Sequence, residues 1–111
     1  MFKLELEYKN KVLFARLKGV LDRKASFKIN NYLNSVIKKH NIKNLVYNFE
    51  KLEMVDNAGI DSLLNSKYYI KCNKGSIKVC GVNKVNTYLC KYLKLPIVKN
   101  EADVYKEMVA L

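Results

Sequence analysis

The sequence predicts an α/β domain: one mixed sheet of four to five strands with about four helices. Three observations carry that prediction. The first 18 residues alternate apolar and polar side chains in two runs separated by Asn10, the mark of a half-exposed hairpin. Leu45-Val46-Tyr47-Asn48-Phe49 is a short, nearly continuous apolar run, as in a strand buried at the centre of a sheet. Apolar residues recur at helical spacing in four further segments.

Each element has its own signal. Phe2, Leu4, Leu6 and Tyr8 alternate with Lys3, Glu5, Glu7 and Lys9 in a first strand. After a turn at Asn10, residues 12–18 form a second, with Leu13, Ala15 and Leu17 on one face. Residues 19–26 read as a loop. Ile29, Leu33, Val36 and Ile37 then mark a helix up to Lys39 or His40. The central strand takes residues 44–49. A second helix follows from Ala58 to about Asn73, with Ile60, Leu63 and Leu64 inward and Gly75 ending it. Ile77, Val79 and Gly81 continue as a strand. Val85, Tyr88, Leu89, Tyr92 and Leu93 mark a third helix. Pro96-Ile97-Val98 reads as a short edge strand, where proline at the start is tolerated. Ala102, Tyr105, Met108 and Val109 mark a last helix. Right-handed crossovers place the helices largely on one face.

With 111 residues, half of them hydrophobic, residues 1–111 read as a single globular domain able to bury a core. No apolar run approaches the ~20 residues of a membrane span, and the first residues lack a signal-peptide pattern. The expectation is a soluble cytoplasmic protein without membrane insertion. Cys72, Cys80 and Cys90 form neither a Cys-x-x-Cys pair nor an even disulfide set, so they read as buried or half-buried thiols. With one histidine, His40, neither a metal site nor a nucleophile–base pair is legible. No enzyme activity and no cofactor are expected.

The net charge of +11 raises the question of nucleic acid. Lysine supplies 19 of the 21 basic residues, however, and arginine, the usual reader of guanine edges, is nearly absent. The lysines are scattered along the chain. No specific nucleic-acid binding is expected; salt-sensitive attraction to an acidic protein surface is.

The most informative stretch is Asp56-Asn57-Ala58-Gly59. It lies after the buried strand and a short link, where a helix begins. Such a turn offers free backbone N–H groups and the positive end of the helix dipole to a phosphate or an acidic partner.

This turn resembles the Asp-Ser-Ser-Gly or Asp-Ser-Thr-Gly signature of STAS domains. Gly19-Val20-Leu21-Asp22 resembles that family's Gly-Glu-Leu-Asp loop, residues 74–82 its Gly-Gly-x-Leu-x-Leu-Val-Gly-Val strand, and Glu101-Ala102 the pair that opens its last helix. The four motifs follow the family's element order along essentially the whole chain, closest to the anti-sigma factor antagonists. The resemblance implies a STAS fold and a regulatory module for transcription in bacteria. It implies a partner that is both an anti-sigma factor and a serine kinase of the histidine-kinase-like ATPase superfamily. It also implies a contact surface drawn from Leu21, Asp22, Asp56, Asn57, Ala58, Gly59, Ile60 and Asp61. In the family, phosphorylation of the first hydroxyl residue of the turn abolishes binding.

Here that position holds Asn57, and Ala58 removes the second hydroxyl. Asn57 or Asp56 is expected to cap the helix. Asp61 stands where the family has a small residue. As a first-turn carboxylate it would stabilise the helix by about 0.3–1 kcal/mol, imitate a phosphorylated turn, or fit a basic or polar pocket. The competing implication is a STAS scaffold subunit, not phosphorylated, in a stressosome or a transporter complex. Oligomeric state is not legible.

Overall fold

The computed structural model describes residues 1–84 and 86–109, the last three for their backbone alone. The chain forms a four-stranded mixed sheet in the order β1-β2-β3-β4 with four helices. β1 (Lys3–Lys9) and β2 (Val12–Leu21) are antiparallel. Asn10 and Lys11, with φ of 50° and 66°, close them in a two-residue turn of the type I′ class.

Three contiguous segments, Ser26–Lys28, Ile29–Leu33 and Asn34–Lys39, make one helix, α1, whose middle turn is π-helical. β3 (Asn44–Val55), α2 (Asn57–Cys72), β4 (Ser76–Cys80), α3 (Thr87–Leu93) and α4 (Glu101–Val109) complete the order. β3 runs parallel to β2 and to β4, as a central strand between crossovers must. Helices α1, α2 and α3 cover one face, against Leu13, Ala15, Leu45, Tyr47 and Val79. On the other face Val12, Phe14, Val46, Cys80 and Val98 pack with Val104 and Tyr105 of α4.

Several boundaries depart from the periodicity. β3 continues to Val55 instead of ending at Phe49, and β2 continues through Leu21 into the expected loop. Register shifts between Arg16 and Lys18 and between Gly19 and Val20 interrupt the pairing. Such bulges break period two, so the buried residues Phe49, Leu52 and Val55 fall three apart and do not read as a strand. β4 stops at Cys80, because Gly81 turns the chain with φ of 69°.

Residues 96–98 add one parallel bridge, Val79 to Ile97, and not a full strand. In α3 the inward face is Leu89, Cys90 and Leu93, while Tyr88 and Tyr92 are exposed. In α4 Val104 is buried and Ala102 exposed. The expected inward placements of Val85, Met108 and Val109 lie outside the described residues.

The end of α2 differs from expectation in its chemistry. Gly75 N–H donates to Ile70 C=O and Lys74 N–H to Lys71 C=O, both at 2.9 Å, which is the Schellman pattern. The left-handed residue is Lys74, with φ of 60°. Gly75 is needed for another reason: a Cβ there would stand 2.0 Å from the Lys43 carbonyl oxygen.

Cys80 and Cys90 are buried and Cys72 is exposed, which corrects the expectation for one thiol of the three. Burial pushes the Cys80 thiol up to about 12, far from a reactive thiolate at neutral pH. A thiol reagent such as Ellman's should therefore titrate Cys72 alone in the native protein and all three thiols after denaturation.

Candidate functional site

Asp56, not Asn57, caps α2. Its backbone is extended, with φ of −92° and ψ of −177°, and its Oδ1 accepts the Gly59 N–H at 2.8 Å. Its Oδ2 accepts the Arg23 N–H at 2.9 Å, and its own N–H donates to Leu21 C=O at 3.2 Å. One carboxylate thus closes the helix and ties it to the loop after β2. Asp22 closes that loop in turn: its Oδ1 accepts the Ala25 N–H at 2.8 Å and its carbonyl accepts the Ser26 N–H at 2.8 Å.

Gly59 sets how closely the two turns meet. A Cβ there would stand 2.4 Å from the Leu21 carbonyl oxygen and 2.8 Å from Val55 Cγ1. The ends of β2 and β3 and the start of α2 therefore pack as one unit. At its surface Asp22, Asp56, Asn57 and Asp61 are exposed, and Ala58 and Ile60 are half-buried. Leu21 and Gly59 are buried.

Asn57 is the first helical residue, so of the two expected cap formers it is Asp56 that supplies the cap. Asp61 lies four residues further on, in the second turn, where the dipole benefit of a first-turn carboxylate has faded. Two exposed apolar side chains flank the turns without a motif to announce them: Met54 at 66% and Phe27 at 62%. Their signal is visible only once the bulged end of β3 and the start of α1 are placed.

The nearby hydroxyls are already engaged. Ser62 is fully buried and donates to Gly59 C=O at 2.6 Å. Ser26 is buried and donates to Arg23 C=O at 2.6 Å. Ser66, also fully buried, donates to Asn34 Oδ1 across the α1–α2 contact.

The STAS domain profile matches residues 3–95. The chain belongs to the STAS domain family. This STAS domain shares its fold with the anti-sigma factor antagonist SpoIIAA in its unphosphorylated form, at 18% identity and TM-score 0.77, over 99% of this chain and 98% of that one. It matches the phosphorylated form of SpoIIAA from Bacillus at 19% identity and TM-score 0.78, over 97% and 99%. An anti-sigma factor antagonist from Mycobacterium paratuberculosis matches at 12% identity and TM-score 0.80, over 96% and 93%.

A second polar feature holds this STAS domain together away from the turn. The Arg16 guanidinium grips Glu101 at the start of α4 with two bonds, 2.8 and 2.7 Å, and also reaches Glu5 at 2.6 Å and Glu7 at 2.7 Å. Asn48 Nδ2 donates to Glu101 at 2.8 Å. Arg16, Glu5, Asn48 and Glu101 line one side of a cavity of about 1120 Å³ that includes none of the turn residues.

The Arg16 hydrogen bonds hold the Glu101 carboxyl below its ordinary range. A carboxylate with a depressed folded-state value contributes stability that is present above its unfolded value, about 4.3, and is lost as pH falls through the folded value. Glu101→Ala should destabilise the domain by about 2 kcal/mol at neutral pH, since charge-assisted bonds are lost. Acid titration followed by circular dichroism should also show a shallower loss of stability below about pH 4 in Glu101→Gln than in wild type.

Proposed function

We propose that this chain is a regulatory protein-binding module. It docks on an anti-sigma or kinase-type partner through the Asp22 loop and the turn at Asp56–Asp61, and its docking is not switched by phosphorylation of that turn. One observation carries the reading. The residue at the family's phosphoacceptor position, Asn57, is exposed on the first turn of α2 and has no hydroxyl.

The neighbouring chemistry supports it. Ala58 offers no acceptor, and Ser62 and Ser26 are buried with their hydroxyls bonded to backbone. Asp56 spends both carboxylate oxygens on the loops that shape the surface, so the surface stays formed without a phosphate. The flanking Met54 and Phe27 supply the apolar contact area that a protein interface needs beside its polar groups.

The test is mass spectrometry after incubation with an anti-sigma kinase of the same genome and ATP. Wild type stays unmodified at the turn, and Asn57→Ser gains one phosphate at that residue. Phosphate on wild-type Ser62 or Ser26 contradicts the reading. An unmodified Asn57→Ser variant with every native kinase transfers weight to a scaffold role in a stressosome or transporter assembly.

A further inference from the structure

Lysines far apart in the sequence meet at one end of this fold. Asn44 Nδ2 donates to Lys11 C=O at 3.3 Å, which ties the β1–β2 turn to the start of β3. Ser76 N–H donates to Lys43 C=O at 2.7 Å, and Asn73 Nδ2 donates to Ile37 and Ile42 carbonyls at 3.1 and 2.8 Å. The β1–β2 turn, the α1–β3 turn and the α2–β4 turn are thus bonded into one surface. It displays Lys11, Lys38, Lys39, Lys43, Lys71 and Lys74, all exposed.

The segments that supply them hold no acid. The chain has no Asp or Glu in residues 8–21, 23–49 or 62–100, the stretches that build this end. Among the described residues the ion pairs involve Arg16 and Lys106, and none of the six lysines. The turn at Asp56 lies at the other end of β3, roughly 35 Å away at ~3.3 Å per residue.

We infer that this lysine end rests on an anionic lipid surface and leaves the Asp56 turn facing away from the bilayer. The character of the patch selects this occupant. The one aromatic ring on its turns is the imidazole of exposed His40, and no Phe, Tyr or Trp stands there as a platform for base stacking. The nearby Tyr69 ring is covered by Lys38, whose Nζ stands 5.1 Å from its centroid. Neither described cavity is lined by any of the six lysines. There is no arginine to read bases or grip phosphates as a fork. What remains is a set of hydrated point charges on a rigid end. Such a set binds a layer of acidic headgroups additively and without sequence preference.

The test is co-sedimentation of the whole chain with phosphatidylcholine vesicles, with and without phosphatidylglycerol, at physiological ionic strength. Binding is expected to the anionic vesicles only and to vanish in high salt. Lys39→Glu with Lys43→Glu should weaken it roughly 25-fold or more, since each lysine near the surface is worth roughly fivefold. Lys84→Glu with Lys91→Glu changes the net charge equally at exposed positions elsewhere and should cost far less. No sedimentation with anionic vesicles, equal loss in both double variants, or tighter capture by duplex DNA at the same salt would each overturn the inference.

Discussion

Gly59→Ala should unfold about 10–15 °C below wild type, the equivalent of about 3 kcal/mol for a domain of this size. The added methyl has nowhere to go. Its nearest neighbour is a backbone oxygen, that of Leu21 at 2.4 Å, and the next are the Val55 and Leu21 side chains at 2.8 and 2.9 Å. Leu21 cannot retreat, because it is fully buried and its carbonyl also accepts the Asp56 N–H. The start of α2 must instead lift away from β2, which strains the Asp56 cap and its bond to Arg23. Asp61→Ala, exposed in the second turn of the same helix, should stay within about 0.5 kcal/mol of wild type. Thermal denaturation of the two variants checks both. A Gly59→Ala midpoint within a few degrees of wild type would mean that the contact between the turns is slack.

Asn57→Ser should restore a phosphorylation switch at little structural cost. The capping atoms belong to Asp56 and remain in place, so the variant should unfold within about 0.5 kcal/mol of wild type. Once phosphorylated, residue 57 gains about −1.5 to −2 charge. That charge sits at a helix N-terminus, which tolerates it, but on the surface where Asp22, Asp56 and Asp61 are already exposed. A partner surface matched to the unmodified turn then meets extra negative charge and bulk. Its affinity for the variant should fall about 100-fold after treatment with kinase and ATP, as buried like-charge contacts cost several kcal/mol. Calorimetric titration before and after treatment reads that change. Equal affinities in the phosphorylated and unmodified variant would show that the turn is not at the interface.

The fold was legible where a single period held. β1 and the first half of β2 alternate cleanly, and the centre of β3 is apolar on both faces because it lies between two strands and under helices on both sides. Legibility failed where bulges interrupted that period, at the ends of β2 and β3, and those ends carry the candidate site. The motif placed the start of α2 at Asp56 to Gly59 but not the division of labour within it. Which of two adjacent cap formers bonds Gly59 N–H depends on where the extended backbone ends, and β3 runs one residue short of Asp56.

In α3 the exposed Tyr88 and Tyr92 share helical spacing with the buried Leu89 and Leu93 and lie on the next stripe of the helix. The lysine end was invisible for a different reason. Its residues come from three connections and the helix ends beside them, and the pairing of β2, β3 and β4 together with hydrogen bonds between the turns brings them to one end.

The most direct test of the central claim is the affinity of the wild-type chain for an anti-sigma-type kinase of the same genome, measured before and after the two proteins are incubated with ATP. The account predicts binding that Asp22→Lys weakens and that ATP treatment leaves unchanged, with no phosphate on the chain by mass spectrometry. Binding that collapses on ATP treatment, with phosphate recovered on any residue of the wild-type chain, would contradict it.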